Sequence, residues 1–150
     1  ELLTAGASKD QASDSGATPL YIASEKGHLE IVQGLLTAGA PKAKADYSGV
    51  TPLFIASERG HLKIVQELLT AGASKDQADY SGVTPLFIAS ERGHLKIVQE
   101  LLTAGASKDQ ASDSGATPLY IASEKGHLEI VQGLLTAGAP KAKADYSGVT

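Results

Sequence analysis

The chain contains no cysteine, no methionine, no tryptophan and no asparagine. Without cysteine there is no disulfide framework, no thiolate nucleophile and no thiolate metal site. Without asparagine there is no acceptor for N-linked glycosylation. Aromatic residues are scarce, five tyrosines and two phenylalanines, so a core must be assembled from Leu, Ile, Val and Ala. No apolar run approaches the ~20 residues of a membrane helix, so no membrane insertion is expected. Positive charge is also short: 13 Lys and Arg stand against 17 Asp and Glu, for a net charge of −4. That balance offers neither the basic face that nucleic acid requires nor a polybasic segment for anionic lipid. No leader segment is visible and the first residue is not methionine, which leads to the expectation of an internal piece of a longer protein.

What the chain has instead is repetition. TPLYIASEKGHLEIVQGLLTAGA begins at Thr18, TPLFIASERGHLKIVQELLTAGA begins at Thr51 and again at Thr84, and the first version returns at Thr117, each 33 residues after the last. A fixed period in this range signals stacked supersecondary units. Residues 1–51 are identical to residues 100–150, so the longer period is 99 residues, or three variant units. The order of reading is a partial unit at 1–17, full units at 18–50, 51–83, 84–116 and 117–149, and the start of another at 150. The scattered swaps between variants (Tyr21 against Phe54, Lys26 against Arg59, Glu30 against Lys63) suit duplication in a natural array better than a design rule, although an engineered array is an alternative.

Each unit carries two short helical patterns. In the unit at 51–83, Thr51 is placed to cap a helix whose first residue is Pro52. Leu53 and Ala56 share a face. Gly60 can take the left-handed conformation that ends a helix. Leu62, Ile64, Val65, Leu68 and Leu69 then form an apolar stripe opposite Lys63, Gln66, Glu67 and Thr70, and Gly72 closes it. Leu53, Ala56, Leu62, Val65, Leu68 and Leu69, with their equivalents, are the expected core. Helices this short are marginal in isolation, so each pair needs its neighbours. The connectors at 41–50, 74–83, 107–116 and 140–149 read as turns, with little regular strand.

The phrases TPL, GHL and LLTAGA at fixed offsets in a 33-residue period resemble the ankyrin repeat, and the resemblance covers the whole chain. It implies an all-α solenoid of stacked helix-turn-helix units with hairpin-like finger loops. Two features depart from the family pattern. Tyr21, Phe54, Phe87 and Tyr120 stand where the family usually has His after TPL. The connectors read GAPKAKAD or GASKDQAD, where the family has Gly-Ala-Asp, an apolar residue, then Asn. The polar ties that use that His and Asn must therefore be replaced, and aromatic packing is one substitute for the first.

Chemistry-bearing residues recur once per unit. His28, His61, His94 and His127 each follow a helix-ending glycine. Packed helices lie roughly 8–10 Å apart, too far for successive histidines to share a zinc, whose ligands sit at about 2 Å. A structural histidine bonding the inter-helix turn is the expectation. Glu25, Glu58, Glu91 and Glu124 each adjoin Lys26, Arg59, Arg92 or Lys125 and read as a solvated charged stripe rather than a catalytic pocket. The glycines are spaced as helix stops, not as a phosphate loop. No catalytic residue, metal site, cofactor or small-molecule substrate is expected. Gly34 and Gly133 interrupt a helix where other units have Glu67 and Glu100, which reads either as a weaker unit or as a close contact that excludes a side chain.

The resemblance implies that partners touch finger tips and the exposed side of the first helix. The matching positions are Tyr47, Ser48, Val50, Glu58 and Arg59, then Tyr80, Ser81, Val83, Glu91 and Arg92, then the changed tip at Asp113, Ser114 and Ala116, and Tyr146 in the last connector. A tip tyrosine can serve as an interface anchor or merely pack on the next finger, and both readings stay open. The expected function is a non-catalytic, elongated structural scaffold or filament whose partner is protein, including other copies of itself end to end or laterally. An ordinary protein-binding ankyrin domain of a larger protein is the alternative.

Overall fold

The computed structural model describes residues 9–141. Among them are eight helices, which alternate between eight and nine residues: α1 (Pro19–Lys26), α2 (Leu29–Thr37), α3 (Pro52–Arg59), α4 (Leu62–Thr70), α5 (Pro85–Arg92), α6 (Leu95–Thr103), α7 (Pro118–Lys125) and α8 (Leu128–Thr136). No strand occurs among the described residues.

The helix boundaries follow from three residue types. The hydroxyl oxygens of Thr18, Thr51 and Thr84 each accept the backbone N–H three residues on at 3.1 Å, and Thr117 does so at 3.2 Å. Each cap is buried, where an unpaired N–H at the helix start would be costly. Proline follows at the first helical position, with its backbone angle already set. At the other end Gly27, with φ of +81°, turns the chain so that the N–H of His28 reaches back to the carbonyl of Ala23 at 3.0 Å. The second helix of each pair ends in the same spirit. Gly39, with φ of +86°, directs its N–H to Leu36 O, and the N–H of Ala40 bonds to Leu35 O. This six-to-one closure satisfies the last carbonyls.

The chain divides into two compact units, Glu1–Ser74 and Lys75–Thr150. In the first, α2 folds back on α1, α4 folds back on α3, and the pairs stack with α1 against α3 and α2 against α4. In the second, α5 to α8 repeat this arrangement. Leu20, Val32, Leu35, Leu53, Ala56, Ile64, Val65 and Leu68 are buried in the first unit, and Leu86, Ala89, Ile97, Val98, Leu101, Leu119, Ala122, Ile130 and Leu134 in the second. The aromatic residue after TPL joins the stack: Tyr21 clusters with Ala17, Ile55 and Val50, and Phe87 with Ala116, Ile121 and Val83.

The expected core needs one correction. Leu62 and Leu69 are only half-buried, while Ile64 is fully buried. At 100° per residue, Ile64, Val65 and Leu68 cluster round one direction, and Leu62 and Leu69 lie roughly 90–110° from it, at the edges of the stripe.

Candidate protein-contact surface

The connectors at 41–50, 74–83 and 107–116 each close into a tight turn that projects a tip. In the first, the N–H of Asp46 bonds to Val50 O at 2.9 Å and the N–H of Gly49 to Asp46 O at 3.0 Å. The Asp46 carboxylate accepts the N–H groups of Ser48 at 2.8 Å and Val50 at 3.0 Å. Asp79 repeats the arrangement with Ser81 at 2.9 Å and Val83 at 3.0 Å. The third finger has Ser112 in the aspartate's place. The backbone turn survives, with Gly115 N–H bonded to Ser112 O at 2.8 Å, but the Ser112 hydroxyl pairs with that of Ser114 at 2.9 Å.

These turns lift their second residue into solvent. Tyr47 is 74% exposed and Tyr80 76%; Ser48, Ser81, Asp113 and Ser114 are exposed as well. Val50 and Val83 behave differently. Each is half-buried and packed on the aromatic cluster beneath it, so little of either is left for a partner, and Ala116 is buried. Tyr146 lies outside the described residues.

The two readings of the tip tyrosine turn out not to exclude one another. The Tyr47 N–H donates to Ser15 O of the preceding finger at 3.0 Å. Its ring lies on Gly16, where an added Cβ would come within 2.8 Å of Cδ1 and 2.9 Å of Cε1. Gly16 itself has φ of +85°, a conformation side chains disfavour. One edge of the ring is thus seated on the neighbouring finger while the remainder stays open. In the second unit the Asp113 N–H makes the same bond to Ser81 O at 2.9 Å, and its carboxylate occupies the space over Gly82.

At the end of each first helix, Arg59 and Arg92 are exposed and Glu58 and Glu91 half-buried. Arg59 pairs with Glu25 of the preceding helix pair at 3.0 Å. His61 and His127 hold this edge together by bonding an inter-helix turn, as expected. His61 Nε2–H donates to the backbone carbonyl of Glu25, and His127 to that of Glu91, each at 2.9 Å. The turn that each reaches is that of the preceding pair, which the sequence did not specify. The His61 ring covers Gly27 so closely that a Cβ there would meet it at 2.8 Å, and His127 covers Gly93 equally. In each of these contacts between stacked pairs, the donor belongs to the later pair and the acceptor to the earlier one.

Tyr21 contributes a buried hydroxyl that the sequence did not suggest. Burial, reinforced by the nearby Asp46 charge, holds its hydroxyl protonated and pushes its pKa well above the usual tyrosine value. The absent family histidine is thus replaced by aromatic packing, as expected. Among the described residues, nothing lies within 4 Å of a Cβ added at Gly34 or Gly133, so no contact there requires them.

Among the described residues no cluster of three or more His, Asp or Glu could hold a metal ion, and no helix is long and apolar enough to cross a membrane. No curated protein matches the chain. A family model described as ankyrin repeats, three copies, matches residues 1–79 and 72–145. With stacked helix pairs at a 33-residue period and a matching family model across nearly all of its length, the chain belongs to the ankyrin repeat family, whose repeats form scaffolds for protein–protein interaction.

Proposed function

We propose that the chain is a non-catalytic scaffold that displays a recurring protein-contact site, with Tyr47, Ser48 and Arg59 at one station and Tyr80, Ser81 and Arg92 at the next. The observation that carries this reading is the pair of tip tyrosines. Each stands at the same position of successive fingers, about three-quarters exposed, on a turn fixed by an aspartate. Tyrosine on a rigid support gives large contact area at small entropic cost. Sites in register along one chain raise avidity when a partner is itself repetitive. The extended reading is a structural filament: one continuous array of which these residues form a stretch. Its support is the repetition itself: residues 1–51 recur unchanged as residues 100–150, so the same surface returns every 99 residues. A second reading, an ordinary interaction domain fitted to one partner, draws on the third finger, where Asp113 replaces the tyrosine and the surface is no longer uniform.

Electron microscopy of the native material separates the two. Filaments with an axial repeat set by the 33-residue unit support the scaffold reading; discrete particles overturn the filament and leave the single-partner domain.

A further inference from the structure

We propose that Tyr47 and Tyr80 are sites of oxidative cross-linking between copies of this chain, joined as dityrosine by a haem peroxidase using hydrogen peroxide. The first observation is compositional. Cysteine, methionine and tryptophan, the side chains that oxidants otherwise consume, are all absent. Tyrosine is therefore the most readily oxidised side chain in the protein, and a tyrosyl radical has no thiol or indole to which it can pass its electron deficit. The second is positional. Coupling requires two rings to meet, and the tyrosines differ sharply in whether they can. Tyr21 is 8% exposed within its cluster, and Tyr120 is 39% exposed. Tyr47 and Tyr80 are 74% and 76% exposed at the finger tips. The third is the seating of the ring. Tyr47 rests on Gly16 through Cδ1 and Cε1; the opposite edge, with the second carbon ortho to the hydroxyl, is the free one. The turn beneath is closed by Asp46, so the ring is presented from a fixed base.

The chemistry balances as follows. Each phenol gives up one electron and its hydroxyl proton to become a phenoxyl radical. Two radicals form a carbon–carbon bond between ring carbons ortho to the oxygens. The hydrogens on those carbons then move to the oxygens and restore both hydroxyls. Hydrogen peroxide takes up the two electrons and two protons and leaves as two waters. With two such tips in the described part of each chain, coupling extends beyond dimers to a covalent ladder. This inference rests on the accessibility of the tips and stands apart from the identity of any non-covalent partner.

The test uses the full chain carrying Tyr146→Phe, mixed as ordinary and ¹⁵N-labelled protein and treated with a haem peroxidase and hydrogen peroxide. Expected are a ladder on a denaturing gel, dityrosine fluorescence, and cross-linked peptides that join Tyr47 or Tyr80 of a labelled copy to Tyr47 or Tyr80 of an unlabelled one. Adding Tyr47→Phe and Tyr80→Phe should lower the fluorescence severalfold. Adding Tyr21→Phe and Tyr120→Phe should leave it nearly unchanged, since phenylalanine already occupies that position at Phe54 and Phe87. The proposal is overturned if no ladder forms, if the links map mainly to Tyr21 or Tyr120, if they join residues of a single copy only, or if the tip variant couples like the parent.

Discussion

In Glu1–Ser74 the helix pair bearing tyrosine comes first and the pair bearing phenylalanine second; in Lys75–Thr150 the order is reversed. The apolar contact is nevertheless the same, Tyr21 on Ile55 in one and Phe87 on Ile121 in the other. So is the bond from histidine to the preceding turn, at 2.9 Å in both. What differs is the rest of the polar work done by side chains. The first unit adds the Arg59–Glu25 ion pair and a buried Tyr21 hydroxyl near the Asp46 charge. The second has no hydroxyl on Phe87 and has Ser112 where Asp46 would stand, but it gains a bond from the Ser107 N–H to Asp76 at 2.8 Å. The first unit cannot make that bond: Pro41 occupies the corresponding place relative to Asp10, and proline has no N–H to give. Apolar packing, the histidine tie and the backbone bond between fingers are thus constant, while the ties made by other side chains are interchangeable parts.

If that division is correct, substitutions in the constant set should cost most and should cost the same in both units. Leu68→Ala and Leu101→Ala remove fully buried side chains and should each destabilise by about 2–5 kcal/mol in chemical denaturation. A loss below half a kilocalorie would show that the stack does not depend on this stripe. Next come the glycines beneath the histidines. Gly27→Ala and Gly93→Ala place a side chain at positive φ and against an imidazole ring, so each should cost about 1–2 kcal/mol or more. Gly126→Ala, at similar φ with nothing above it, should cost less. Equal losses at all three would mean the histidine contact is unimportant.

The interchangeable set should respond more weakly and in one unit only. Tyr21→Phe should cost about 0.5–1.5 kcal/mol at neutral pH. Because the folded chain holds the Tyr21 proton more tightly than the unfolded chain does, its contribution is complete below the ordinary tyrosine pKa and declines as pH rises through about 10. A denaturation series from pH 7 to 11 should therefore show parent and variant converging, and parallel curves would show that the fold does not hold the Tyr21 hydroxyl protonated. The smallest effect has the opposite sign. Gly34→Ala, in open space on a helix, should stabilise the chain by up to about 1 kcal/mol. Destabilisation would show that a neighbour outside the chain needs the bare backbone.

The parts legible in the sequence are those governed by local rules. Thr18, Pro19 and Gly27 mark helix ends because capping, a fixed φ and a left-handed turn each act within a few residues. Val65 and Leu68 follow from helical periodicity, but the expected core included Leu62 and Leu69, at the edge of the stripe, and left out Ile64 at its centre. Contacts at 31 to 36 residues' separation, such as Ser107 to Asp76 and His61 to Glu25, leave no such trace. Nothing in GHL says that the imidazole reaches back to the previous turn, or that Tyr21 has Asp46 within reach. Of the candidate contact residues, the exposed tips follow from turn chemistry. The inward turn of Val50 and Val83 is a property of the cluster beneath them, which exists only once two pairs have stacked.

The one-way sense of these inter-pair bonds bears on how the protein is made. Chains leave the ribosome from the N-terminus, and domains generally fold in that order during synthesis. A helix pair that has just emerged presents finished carbonyls at Glu25 and Ser15 as acceptors, and these wait in water at little cost. The pair that follows brings the imidazole of His61 and the N–H of Tyr47 to meet them. Within each unit these bonds suit addition of pairs in the order of translation, and a pair docked in the reverse sense would set acceptor against acceptor.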